Sequence, residues 1–256
     1  MQKKYLRISL ICIVILASDN PVQSQEKTSE NVEQTWLGYF NNLRLSDKWG
    51  VATDLHYRTR DDIASGSSIG ILRAGLVYHI NSQTRLIAGY AYVHNYPIAP
   101  HNFVARPEHR PWQMVQWNTR NPNMQLVQNL RFEQRFRRKI SNEYSLAEGY
   151  NFNYRFRYNF MMQVPLGKKK FEPGALSLMM NDEIHVNMGK EIIYNYFDQN
   201  RFFAGFNWQM NKTNHLQFGY TYVFLQLPAG NRYRNIHGIR IFFVQNFDLR
   251  KPASSK

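Results

Sequence analysis

Residues 150–164 alternate almost without fault. Tyr150, Phe152, Tyr154, Phe156, Tyr158, Phe160, Met162 and Val164 share one parity. Asn151, Asn153, Arg155, Arg157, Asn159 and Gln163 share the other, with Met161 as its single apolar member. A period of two sends successive side chains to opposite faces of a strand. One face of this strand is therefore aromatic and apolar, and the other carries amides and two arginines. The run exceeds a typical soluble strand of about 5–6 residues. It also exceeds the roughly 9–11 residues that cross a bilayer as a tilted strand. The pattern predicts a transmembrane β-barrel.

The N-terminus agrees with export. Lys3, Lys4 and Arg7 precede an apolar run over 8–17, and Val22-Gln23-Ser24 offers small residues where a signal peptidase reads. We expect a signal peptide over 1–24. The apolar run is half the roughly twenty residues that a helical span needs, and no later segment approaches that length. Cys12, the one cysteine, lies in this leader. The remaining chain then has no disulfide, thiolate metal site or cysteine nucleophile.

Without residues 1–24 the net charge falls from +14 to +12, through loss of Lys3, Lys4, Arg7 and Asp19. In a cytosolic chain, such charge with 15% aromatics would suggest nucleic-acid binding. Here the arginines alternate with aromatics instead of forming one basic run, so nucleic acid is excluded as a partner. Anionic headgroups and anionic solutes fit better. The negative mean hydropathy, −0.53, is no objection. A barrel presents only alternate residues to lipid.

The two-residue period recurs near 35–45, 49–60, 69–80, 84–94, 111–118, 125–137, 150–164, 175–187, 200–210, 214–226 and 236–247. Ser46-Asp47-Lys48, Asn81-Ser82-Gln83, Asn121-Pro122-Asn123, 167–174 and Asn211-Lys212-Thr213 break it. Short connections follow 45, 80, 118, 164 and 210, and longer ones follow 60, 94, 137, 187 and 226. That alternation suits short periplasmic turns and long external loops. Eleven strands are counted, whereas single-chain bacterial barrels have an even number. We expect ten to twelve antiparallel strands, with twelve favoured through an extra strand within 25–34. The first visible strand would otherwise leave the N-terminus outside.

Energetics orient the faces. An arginine facing lipid near the midplane costs about 2–4 kcal/mol, so Arg131, Arg135, Arg155 and Arg157 would together cost roughly 8–16 kcal/mol. That rivals the whole stability of an ordinary domain, about 5–15 kcal/mol. These residues must point inward. The lumen-facing set is Arg131, Glu133, Arg135, Arg137, Arg155, Arg157, Glu183 and Arg201, joined by Asp54, His56, Arg58 and Arg73. Asp182 falls on the outer parity and breaks the pattern. The lumen is either an anion-attracting passage or binding site, or a wall-stabilising ladder of paired charges. Ten to twelve strands lie between a filled barrel of about eight and an open one of sixteen.

Enzyme motifs are weak. The less favoured alternative, a lipid-modifying outer-membrane enzyme such as a lipase or lipid A deacylase, needs a serine hydroxyl within reach of an oriented base, supplied on one strand or from two. His94 is followed by Asn95-Tyr96-Pro97 and His185 by Val186-Asn187-Met188, with no serine beside either. His101, Glu108 and His109 fit no helical zinc pattern. Asn211-Lys212-Thr213 matches a glycosylation sequon, but Asn in a short connection is a turn former. No catalytic, metal or cofactor residues are assigned.

Glu108-His109-Arg110-Pro111-Trp112-Gln113, Arg131-Phe132-Glu133-Gln134-Arg135-Phe136 and Asp198-Gln199-Asn200-Arg201 resemble landmarks of domain-of-unknown-function family 2490. Ser46-Asp47-Lys48-Trp49 and Gly89-Tyr90-Ala91-Tyr92 fit as well. The resemblance covers roughly 34–247. It implies an outer-membrane-type barrel of Gram-negative bacteria and carries no known activity, substrate or catalytic residue. Barrels of that type usually end on an aromatic, whereas 249–256 follow Phe247. We therefore expect a barrel over 25–250 and a polar periplasmic tail at 251–256. Its partners would be outer-membrane lipid, small anionic solutes, and the barrel-assembly machinery with periplasmic chaperones.

Overall fold

The computed structural model describes residues 26–60, 66–97 and 103–250. The expected leader 1–24 and tail 251–256 lie outside the described residues. Strands β1 (Thr28–Arg44), β2 (Trp49–Thr59), β3 (Ser67–His79) and β4 (Thr84–Asn95) follow one another. Then come β5 (Arg106–Asn121), β6 (Met124–Asn142), β7 (Ser145–Leu166) and β8 (Leu176–Met188). β9 (Phe197–Gln209), β10 (Asn214–Gln226) and β11 (Arg232–Asp248) complete the sheet. Each strand runs antiparallel to its predecessor, and β1 and β11 close the barrel in parallel.

Eleven strands, not the favoured twelve, form the wall among the described residues. The segment expected to make an extra strand is instead the start of β1, whose Thr28–Gln34 pairs with Arg232–Gly238 of β11. In an up-and-down chain of odd count, the first and last strands run the same way. Closure must then be parallel, and it takes seventeen residue pairs, from Thr28 with Arg232 to Arg44 with Asp248. The two strand ends consequently lie at opposite ends of the barrel. Arg250 fastens the C-terminal end by bonding Asp248 and, at 2.7 Å, Asp47 in the β1–β2 turn. Those bonds hold its guanidinium above the ordinary arginine range.

Side-chain caps set the short turns. Asn81 Oδ1 accepts from the Gln83 and Thr84 amides, and Asn121 Oδ1 from Asn123 and Met124. Asn211 Oδ1 does the same for Thr213 and Asn214, while Ser46 Oγ accepts from the Trp49 amide. These Asx-type bonds mimic a backbone turn, so the sequon asparagine acts as a turn former. The other end departs from expectation at 137. β6 and β7 continue to a two-residue connection at 143–144, so the expected loop is a protruding hairpin. Phe103 stacks on Tyr144 at 5.0 Å against it.

One feature escaped the sequence reading. The hairpin from Ala74 to Val93 repeats at Ala204–Val223, including Ala-Gly, a turn asparagine and Gly-Tyr-x-Tyr-Val. In each copy two glycines face across the ladder, Gly75 with Gly89 and Gly205 with Gly219. A Cβ at Gly89 would sit 2.3 Å from the Ala74 carbonyl, and one at Gly205 would sit 2.3 Å from that of Phe218. The hollows admit large rings from the lumen side. The Trp112 indole lies over Gly75 and Gly89, and the Phe203 ring over Gly205.

These rings help fill the short-turn half of the barrel. Val77, Ile87, Trp112, Met114 and Met179 are buried there. The long-loop half holds most of the charged side chains, beside apolar residues such as Ile71, Val93 and Ile236.

Candidate functional site in the lumen

The lumen site is written in the odd positions of β6 and β7. Arg131, Glu133, Arg135 and Arg137 share the inner parity of β6, and Arg155 and Arg157 that of β7. The register sets Glu133 opposite Arg155 and Arg131 opposite Arg157. Glu133 is 1% exposed and lies at the hub. It accepts from Arg155 Nε at 2.8 Å and Nη2 at 2.5 Å, and from Arg157 Nη1 at 2.8 Å. Arg110 and Arg131 lie within 3.9 Å of it.

Glu183 takes the other side of Arg157, accepting from Nε at 3.1 Å and Nη2 at 2.6 Å. It also meets His185 Nε2 at 2.9 Å, with Arg201 at 3.8 Å. Asp198 accepts from Arg155 Nη1 at 3.1 Å. On the facing wall, Asp54 holds Arg73 and His56, each at 2.9 Å. Burying an ion costs several kcal/mol unless partners and further hydrogen bonds compensate it. The bidentate arginine–carboxylate contacts here are of the kind that does so.

All eight inward residues named from sequence do point inward, as do Asp54, His56, Arg58 and Arg73. Glu108, Arg110, Asp198 and Arg240 were missed. Glu108 binds Arg110 through Nε and Nη2 and Arg135 through Nε at 2.6 Å, so it anchors a second hub. It was hidden because β5 begins at Arg106, not at 111. Pro111 reads as a strand's opening residue, and the five residues before it read as loop. Asp198 fell just outside the expected start at 200. Arg240 carried a usable signal, since it alternates with Ile239 and Ile241.

Asp182 does face outward, and the register is sound. Its carboxylate accepts from the Asn200 side chain at 2.9 Å on the same outer face. His109, read as a loop residue, lies on the outer face of β5 and bonds the Tyr90 hydroxyl. His237 repeats that arrangement with Tyr220 in the duplicated hairpin, at 2.6 Å. His101 lies outside the described residues. His185 is fully buried and meets the carboxylates of Glu183 and Asp198. His94 packs on Tyr96 at 4.7 Å.

A cavity of about 440 Å³ runs past the hubs toward the long-loop end. Eleven arginines line it against four carboxylates, with Glu133 and Glu30 engaged behind them. That leaves an excess of five positive charges in a confined space, which favours anions. Asp54, Arg131, Asn159 and Asn181 mark its deep level. Below it begin the buried apolar residues of the short-turn half. From that level the lining runs to Asn195, Leu227 and Pro228 of the long connections, so that among the described residues the space has the form of a cup.

Arg58 and Arg240 stand apart from the hubs. No carboxylate among the described residues pairs with either, and their Nε atoms are buried without a partner. Arg58 lies over the Trp36 ring at 3.6 Å, and Arg240 over Phe203 at 3.3 Å and Phe242 at 4.7 Å. Cation–π stacking contributes about 0.5–2 kcal/mol, less than the cost of burying an unpaired charge.

The molecule is thus a closed, charge-lined β-barrel. By its sequence it belongs to the family described as protein of unknown function, DUF2490, whose model matches residues 33–234. No curated protein and no solved structure matches the chain.

Proposed function

We propose that this protein is an outer-membrane β-barrel of a Gram-negative bacterium that binds small anionic solutes in its arginine-lined cup. The observation that carries this reading is the cavity's composition: eleven arginines, no lysine and four carboxylates around about 440 Å³. A lumen serving only to brace the wall would gain most from balanced charge. Here the arginines outnumber every carboxylate that reaches them.

The membrane setting rests on the outer face. Leu55, Leu72 and Leu76 are more than half exposed there, and Tyr154, Phe156, Tyr158 and Phe160 extend the belt. In water such a contiguous apolar surface is a liability, whereas in a bilayer it is required. Strands of 11 to 22 residues are long enough to cross. Export through a cleaved leader over 1–24, handling by periplasmic chaperones and insertion by the barrel-assembly machinery complete the reading. We assign binding instead of catalysis because His94 faces outward against Tyr96 and His185 is bonded to acids.

The test is calorimetric titration of the refolded barrel with phosphate, sulfate and small carboxylates, beside cations of similar size. Saturable binding of anions alone is expected. Cation binding, or no binding of any anion, would contradict the reading. In planar bilayers the filled short-turn half predicts little steady conductance.

A further inference from the structure

Resting on the anion-cup reading, we propose that Arg58 and Arg201 form a site for a dianionic oxyanion of the phosphate or phosphate-monoester kind. Both guanidinium groups reach the indole of Trp36, Arg58 at 3.6 Å from the ring centroid and Arg201 at 5.3 Å. Both residues, and Trp36 itself, line the cavity.

Two like charges meeting over one ring repel unless an anion joins them. The protein supplies little of that compensation. Arg58 is 8% exposed and has no carboxylate partner among the described residues. Arg201 donates its Nε to Gln199 at 3.0 Å, and its nearest carboxylate, Glu183, is 3.8 Å away and already holds Arg157 and His185. The neighbouring cations Arg155 and Arg157 spend their donors on Glu133, Asp198 and Glu183. Arg58 and Arg201 are therefore cations with donors left for a guest.

Their orientation is fixed. Trp36 sits opposite Arg58 across the β1–β2 ladder and is 4% exposed. Its Nε1 donates to Gln34 at 2.8 Å, which locks the ring. A guanidinium lying on a ring keeps its N–H edge free, and that edge forms the fork that recognises oxyanions. Two forks of unit charge match a tetrahedral dianion. A carboxylate offers two oxygens and one charge, enough for one fork.

The experiment titrates the refolded chain with inorganic phosphate and phenyl phosphate, followed by calorimetry and indole emission. Arg58→Gln/Arg201→Gln is compared with Lys212→Gln/Arg250→Gln, which removes the same charge outside the lumen. Arg58→Lys/Arg201→Lys keeps the charge and loses the forks, so it serves if the glutamine pair fails to fold. We expect phosphate affinity to fall at least tenfold in the glutamine and lysine pairs and to hold in the control. The emission change should vanish in Trp36→Phe. Binding of both ligands marks the phosphoryl group as sufficient, and binding of the ester alone identifies a monoester as the guest. Unchanged phosphate affinity in the altered pairs would overturn this site while leaving the anion cup standing. Absence of anion binding in the parent chain would overturn both.

Discussion

The wall from β5 to β9 and the seam where β11, β1 and β2 meet solve the same problem in opposite ways. Both bury guanidinium groups against a sheet. In the first, Glu133, Glu108, Glu183 and Asp198 sit among the arginines and accept short bonds from them. For the buried arginines of the seam the partners are rings: Trp36 beneath Arg58, and Phe242, with Phe203 of β9, around Arg240, while the half-exposed Arg234 keeps a carboxylate, Glu30. Carboxylates neutralise, whereas rings orient without neutralising. The difference separates arginines that hold the barrel together from arginines left free to bind.

Stability should divide along that line. The largest loss is expected for Glu133→Gln, which removes the carboxylate that Arg155 and Arg157 share and leaves them Asp198 and Glu183 alone. Removing one partner of a buried pair costs about 3–5 kcal/mol, read as a lower urea midpoint in detergent. Arg58→Gln should leave that midpoint within about 1 kcal/mol or raise it, because it removes an unpaired buried charge. Equal losses in the two variants would erase the distinction between wall and seam.

The duplicated hairpin allows a second, smaller contrast. Gly89→Ala and Gly219→Ala each place a Cβ against a backbone carbonyl, at 2.3 and 2.5 Å. Both should cost about 1–3 kcal/mol, the usual range for overpacking. Near-equal effects would show the two copies to be mechanically equivalent although different rings cover them. Asp182→Ala, which forfeits one bond to Asn200, should cost about 1 kcal/mol.

Topology supplies a contrast without mutation of the wall. With β1 and β11 parallel, Thr28 and Arg250 lie at opposite ends. On the proposed outer-membrane setting, epitopes placed before Thr28 and after Arg250 should be reached from opposite sides of the membrane in intact cells. Labelling of both from one side would contradict parallel closure.

Much of this was legible because alternation is a local property. The inward set on β6 and β7 followed from parity and the cost of arginine in lipid, with no need of register. Strand number was harder. Residues 28–34 alternate less clearly, and an even-number rule drawn from other barrels suggested a separate strand. The odd count was correct. Glu108, Arg110 and Asp198 were hidden by strand ends, where parity is least informative. The pairing of Gly75 with Gly89, and the fact that Arg58 reaches Trp36 but no acid, depend on neighbours across strands. A single strand's pattern does not carry them.

The central claim is a positively charged cup, open at the long loops and filled below. Thiol labelling tests it most directly, because a chain begun at Gln25 lacks Cys12, its one cysteine. Asn129→Cys places a thiol at the deep level of the cup, and Val77→Cys places one in the apolar half. The account predicts that an anionic methanethiosulfonate modifies position 129 faster than a cationic one, and that position 77 resists both. Faster reaction of the cationic reagent at 129, or equal labelling at 77, would contradict it.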